Sequence, residues 1–61
     1  MTAQELNILA LIVAGKTNRQ IADELVITLG TVKWHAHNIL QELGVNNRTQ
    51  ATIRAQELGL L

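Results

Sequence analysis

The chain has no cysteine, proline, phenylalanine or tyrosine, a single tryptophan, and no net charge. Without cysteine there are neither disulfides nor thiolate metal sites, which suits a reducing compartment. No apolar run approaches the roughly 18 residues of a membrane span. Residues 8 to 14 form an apolar stretch too short for a signal peptide and without its basic start. The expectation is a cytoplasmic protein with no membrane partner. There is no glycine-rich phosphate loop and no adjacent nucleophile and base, and 61 residues are too few to enclose a substrate. No enzyme, catalytic residue or cofactor is therefore expected. This length allows one small domain, residues 1–61, near the size at which an apolar core only just outweighs lost chain entropy.

What remains is 48% hydrophobic and rich in Leu, Ile, Val and Ala, a composition that favours short packed helices over a sheet. Four start signals divide it. Thr2 with Glu5 has the form of a capping box, in which each side chain satisfies a backbone N–H left over by the first helical turn. It predicts a first helix from Ala3 to Ala14, buried through Ile8, Leu9 and Ile12 and widened by Leu11, with Gly15 as the left-handed stop. Thr17 with Gln20 opens a two-turn helix, Asn18 to Leu25, burying Ile21, Ala22 and Leu25. After a Val26-Ile27 link, Thr28 caps a third helix from Leu29 to Leu43, whose apolar set is Leu29, Val32, Ala36, Ile39, Leu40 and Leu43. Gly44 ends it, and Asn47 with Gln50 repeats the box for a fourth helix, Arg48 to Leu58, before Gly59 and the apolar pair Leu60-Leu61. The fold class is all-α, a four-helix bundle. Gly30, in the first turn of the third helix, costs about 1 kcal/mol against Ala and asks for a packing or close-approach reason.

Two helices joined by a short turn, the second longer and two-faced, are the parts of a helix-turn-helix. At about 100° per residue, Lys33, His37, Gly30, Gln41 and Trp34 fall on the side of the third helix away from Val32, Ala36 and Leu43. This face suits base edges. Lys33 can donate to guanine O6/N7 or to phosphate, His37 and Gln41 can hydrogen-bond, and Trp34 can cover a thymine methyl. A solvated face would carry the same lysine and histidine, but a large aromatic turned away from so small a core marks a contact surface.

The motifs Thr2-x-x-Glu5, Leu9-x-Leu11, Gly15, Thr17-Asn18-x-x-Ile21-Ala22, Gly30-Thr31-Val32-Lys33-x-His35, Leu43-Gly44-Val45 and Asn47-Arg48-Thr49-Gln50-Ala51 together resemble the LuxR-type bacterial transcription regulators, over essentially the whole chain. Within that family the Lys33-Trp34-His35 run is most similar to the large MalT-like members. The resemblance implies the DNA-binding, C-terminal part of a longer regulator. In it the third helix enters the major groove of double-stranded DNA and the fourth joins two copies on a two-fold site, leaving RNA polymerase open as a further partner. Matched position by position, base contacts fall on Lys33, Trp34 and His37, and phosphate contacts on Thr31, Arg48, Asn18 and Thr28. The chain departs from many relatives in having His37 where a basic residue is common, and in its zero net charge. Both departures make binding lean on dimerisation.

The remaining candidates have blander readings. His35 and His37 lie about 200° apart on a helix, so they cannot grip one metal ion. His35, on the flank of the buried stripe, reads as a packed or hydrogen-bonded structural histidine. Arg48 opposes the positive end of its helix dipole, a small cost that a phosphate would offset. Lys16 and Arg19 read as general electrostatic support or solvated surface. Leu6 and Val13 sit at the edge of the first helix's apolar arc. Ile53 points away from Ala51 on the helix the family uses for pairing and is the candidate dimer contact. A protein-interaction module of the same architecture is the alternative outside DNA binding, separated from it by retained partner binding with no DNA affinity. The promoter-reading domain of an alternative sigma factor is the alternative within DNA binding.

Overall fold

The computed structural model describes residues 1–60, so the expectation placed on Leu61 lies outside the described residues. Four helices follow in order: α1 (Ala3–Val13), α2 (Asn18–Leu25), α3 (Leu29–Leu43) and α4 (Arg48–Glu57). Each starts where a side chain can accept from the first turn. Glu5 N–H donates to Thr2 Oγ1 at 3.2 Å while Thr2 N–H donates to Glu5 Oε1 at 3.1 Å. Gln20 N–H and Thr17 N–H make the same reciprocal pair at 3.1 and 2.8 Å. Thr31 N–H donates to Thr28 Oγ1 at 3.2 Å, opening α3.

The fourth box closes differently from its expected form. Gln50 N–H donates to Asn47 Oδ1 at 2.9 Å, but the Gln50 side chain accepts from Asn46 N–H at 3.0 Å instead of from Asn47. Asn47 sits at φ −152°, against −75° at the other three caps.

The four helix ends share one device. Lys16, Ile27, Val45 and Leu60 each return an N–H of 3.0 Å to the carbonyl five residues earlier, across a residue in the left-handed region. Three of those residues are Gly15, Gly44 and Gly59, which lack the Cβ that makes this conformation costly. The fourth is Val26, at φ 57° and ψ 47°, a β-branched residue where the sequence suggested only a link. α1 and α4 end one residue before their expected limits, because Ala14 and Leu58 serve as caps.

α3 packs against all three other helices, and α1 also meets α4. The core comprises Ile8, Leu9 and Ile12 of α1, Ile21 and Ala22 of α2, Val32, Ala36, Ile39 and Leu43 of α3, and Ala51 and Ala55 of α4. Leu11, Val13, Leu25, Ile27, Leu40 and Val45 cover its rim half-buried, and Leu6 is half-buried too. Leu29, expected in the core, is exposed: as the first residue of α3 its side chain leans back past the end of the bundle. No helix among the described residues is long and apolar enough to cross a membrane.

Candidate nucleic-acid interface

Because Val32, Ala36, Ile39 and Leu43 hold one side of α3 against the bundle, the opposite side is free of packing duties. Lys33, Trp34, His37 and Gln41 are all exposed there, and Gly30 is exposed one turn earlier. Trp34 stands 63% exposed, far beyond what a large aromatic needs for packing alone. A Cβ placed on Gly30 meets nothing within 4 Å, so no intramolecular contact accounts for this glycine. At the start of α3, the Thr28 and Thr31 hydroxyls lie 2.8 Å apart and exposed.

The structure brings together two residues far apart in sequence. Arg48 at the start of α4 donates from Nη1 to Asn18 Oδ1 at 2.6 Å and from Nη2 to the Lys16 carbonyl at 2.7 Å. The guanidinium is thereby held over the first turn of α2. With its oxygen engaged by Arg48, the Asn18 amide has its two N–H donors directed elsewhere. The Lys16 carbonyl is a participant that sequence reasoning missed, since no local motif signals which carbonyl a distant arginine will reach.

Net charge is zero, but charge is segregated along the helices. Lys16 precedes α2, Arg19 lies in its first turn and Arg48 begins α4, while Asp23, Glu24, Glu42 and Glu57 sit toward the ends of α2, α3 and α4. In α2 and at the start of α4 this is the reverse of what the helix dipole favours, whereas Glu5 in the first turn of α1 follows it. The same arrangement adds side-chain positive charge to the partial positive charge of the α2 and α4 N-termini, which is what an external anion responds to. Only Arg54 lies in a last turn, and it pairs with Glu57 at 3.7 Å, the one ion pair among the described residues.

His35 is half-buried beside this face, with its ring edge-on to Trp34 at 5.1 Å and an interplanar angle of 68°. Its Nδ1 is buried without a hydrogen-bond partner, so it is packed and not hydrogen-bonded at that atom. Glu5, buried in its cap, has its carboxyl held below the ordinary glutamate range mainly by the Thr2 N–H, against the opposing effect of burial. Ile53 of α4 is 52% exposed, on the far side of that helix from the buried Ala51 and Ala55, and Leu58, the cap of α4, is 50% exposed.

Two packed helices joined through residues 26–28, the second with a buried stripe and an exposed polar-aromatic face, define a helix-turn-helix of the DNA-binding transcription regulators. Residues 1–55 match the family described as bacterial regulatory proteins, luxR family, and the chain belongs to that family. It is similar to the transcriptional regulatory protein LiaR of Bacillus subtilis, 54% identical over 90% of this chain and 26% of that protein. It is also similar to the HTH-type regulator MalT of Serratia proteamaculans, 43% identical over 95% of this chain and 6% of that one. Among solved structures, the response regulator ChrA of a heme-sensing two-component system superposes with a TM-score of 0.95 at 42% identity, over 98% of this chain and 30% of that one. The transcription factor GerE superposes with a TM-score of 0.91 at 36% identity, over 100% of this chain and 91% of that one. The chain thus spans about a quarter of LiaR and far less of MalT.

Proposed function

We propose that this chain reads a two-fold promoter site in double-stranded DNA, as the DNA-binding part of a longer cytoplasmic regulator. α3 enters the major groove, Lys33, Trp34 and His37 meet base edges, and Asn18, Thr28, Thr31 and Arg48 meet phosphates. α4 pairs two copies through Ile53, and RNA polymerase is the next partner of the assembled regulator. The observation that carries this reading is the Arg48 guanidinium lodged on Asn18 and the Lys16 carbonyl. It joins the starts of α2 and α4 into one donor-rich edge beside a recognition face that holds an otherwise unexplained exposed tryptophan.

Phosphate contacts position the protein and base contacts specify the sequence. Few cations are available in one copy, and each phosphate neutralised adds about 0.9 to the slope of log K against log salt. Two copies on DNA double that count, which makes pairing on the site the main source of affinity. The test is selection from random duplexes, followed by a salt series on the enriched site with Lys33→Ala and Trp34→Ala alongside. A paired half-site motif whose specificity relaxes in either variant supports the reading. No enrichment at low salt, even from an artificially dimerised domain, overturns it and favours an interaction module.

A further inference from the structure

Trp34 is the most exposed side chain on the recognition face whose size makes orientation matter, and a tryptophan 63% exposed has little around it to fix its rotamer. The neighbour it does have is His35, whose ring stands edge-on at 5.1 Å and 68°, within the range of favourable edge-to-face aromatic pairs. His35 is itself anchored. It is half-buried on the flank of the α3 stripe. Its Nδ1 is buried and makes no hydrogen bond. A buried, unpaired ring nitrogen is a cost that no hydrogen bond at that atom offsets, and the edge-to-face contact with Trp34 is the aromatic contact the ring makes.

We propose that His35 is the positioning residue for Trp34: its ring holds the indole in one orientation on α3 and thereby sets how sharply the chain discriminates at the base pair the indole covers. An indole ordered before binding loses less freedom on the DNA and meets an incorrect base edge in a fixed geometry. The proposal rests on the reading of Trp34 as a base contact, and its test separates the two.

Trp34 is the only Trp, Tyr or Phe in the chain, so near-UV circular dichroism and tryptophan anisotropy report on its orientation alone. His35→Ala, His35→Phe and Trp34→Ala, singly and with His35→Ala/Trp34→Ala combined, are compared on the duplex recovered by selection and on its single-base-pair variants. In His35→Ala the near-UV band falls, and discrimination at the base pair sensitive to Trp34 drops about three- to tenfold, with the salt slope unchanged. His35→Phe, which keeps a ring and has no unpaired nitrogen, restores both, and His35→Ala adds no further loss of discrimination to Trp34→Ala. Should His35→Ala fail to fold, His35→Leu fills similar volume without an aromatic edge and takes its place. Equal weakening on every sequence, or an unchanged near-UV band in a folded variant, overturns the proposal through His35. A fallen band with no base pair sensitive to Trp34→Ala overturns it through the reading of Trp34.

Discussion

Arg48 donates to Asn18 Oδ1 at 2.6 Å across a sequence separation of 30 residues. That single bond, with its companion to the Lys16 carbonyl, ties the start of α4 to the start of α2. It gives a residue that is locally unfavourable in its own helix a reason to be there.

Removing it therefore has two readouts. Arg48→Ala loses about 1 kcal/mol of stability in urea unfolding, since Asn18 and Lys16 rehydrate at an exposed edge and recover part of the loss. On DNA the same variant lowers the salt slope by about 1 per copy, uniformly across sequences. Arg48→Lys keeps the charge and most of the slope, but it cannot serve both acceptors with the same fork and so shares the stability loss. A stability loss without a change in slope would assign Arg48 to folding alone.

Val26 is a left-handed residue with a branched side chain, 89% exposed, where the other three helix ends use glycine. Since its side chain packs against almost nothing, Val26→Asn relieves strain at no packing cost. It is expected to add about 1 kcal/mol of stability, a rise of several degrees in Tm for a chain this size. Calorimetry of the two proteins checks it.

Gly30 has open space where a Cβ would stand. Gly30→Ala should raise stability by up to about 1 kcal/mol. Gly30→Glu, at the start of α3, should also stabilise the free protein through the helix dipole while weakening DNA binding severalfold by repelling phosphate. Parallel Tm and binding measurements reveal the opposite signs, and unchanged DNA affinity would show that the first turn of α3 stays clear of the backbone.

Glu5 has its folded-state pKa lowered, first by the Thr2 N–H. A depressed carboxyl contributes stability that is fully present above its unfolded pKa and is lost as pH falls through the folded value. The urea midpoint should therefore decline as pH drops below the ordinary glutamate range, and Glu5→Gln should flatten that decline while keeping an acceptor for the cap. An identical acid profile in Glu5→Gln would move the effect to other carboxylates.

Ile53→Glu should leave the fold intact, because the side chain is 52% exposed, yet abolish paired occupancy of a palindromic duplex at concentrations where the unaltered chain binds as two copies. Sedimentation on the duplex separates one-copy from two-copy complexes, and undiminished pairing would remove Ile53 from the interface.

Much of the fold was legible because its signals are local. Thr2, Thr17, Thr28 and Asn47 mark starts through bonds that span three residues, and Gly15, Gly44 and Gly59 mark stops through a conformation only glycine adopts freely. Nearest neighbours settle such features before any helix meets another. The helical period likewise separated Val32, Ala36, Ile39 and Leu43 from Lys33, Trp34 and His37. Periodicity treats every apolar position alike, however, and so it placed Leu29 in a core that does not extend past the end of α3.

By itself, then, the sequence determined the helices, their order and the two faces of α3, since those follow from bonds and periods within a few residues. Only the tertiary structure decided that Arg48 meets Asn18 and the Lys16 carbonyl, that Val26 accepts a left-handed backbone, and that the His35 Nδ1 is buried without a partner. The reason is physical. A contact across 30 residues depends on where packing sets one helix against another, strain at Val26 is tolerated because the packed helices on either side demand the turn, and a ring's partners depend on which neighbouring helix closes over it. Neither the Arg48 contact nor the burial of the His35 Nδ1 is carried by the residues adjacent in the chain.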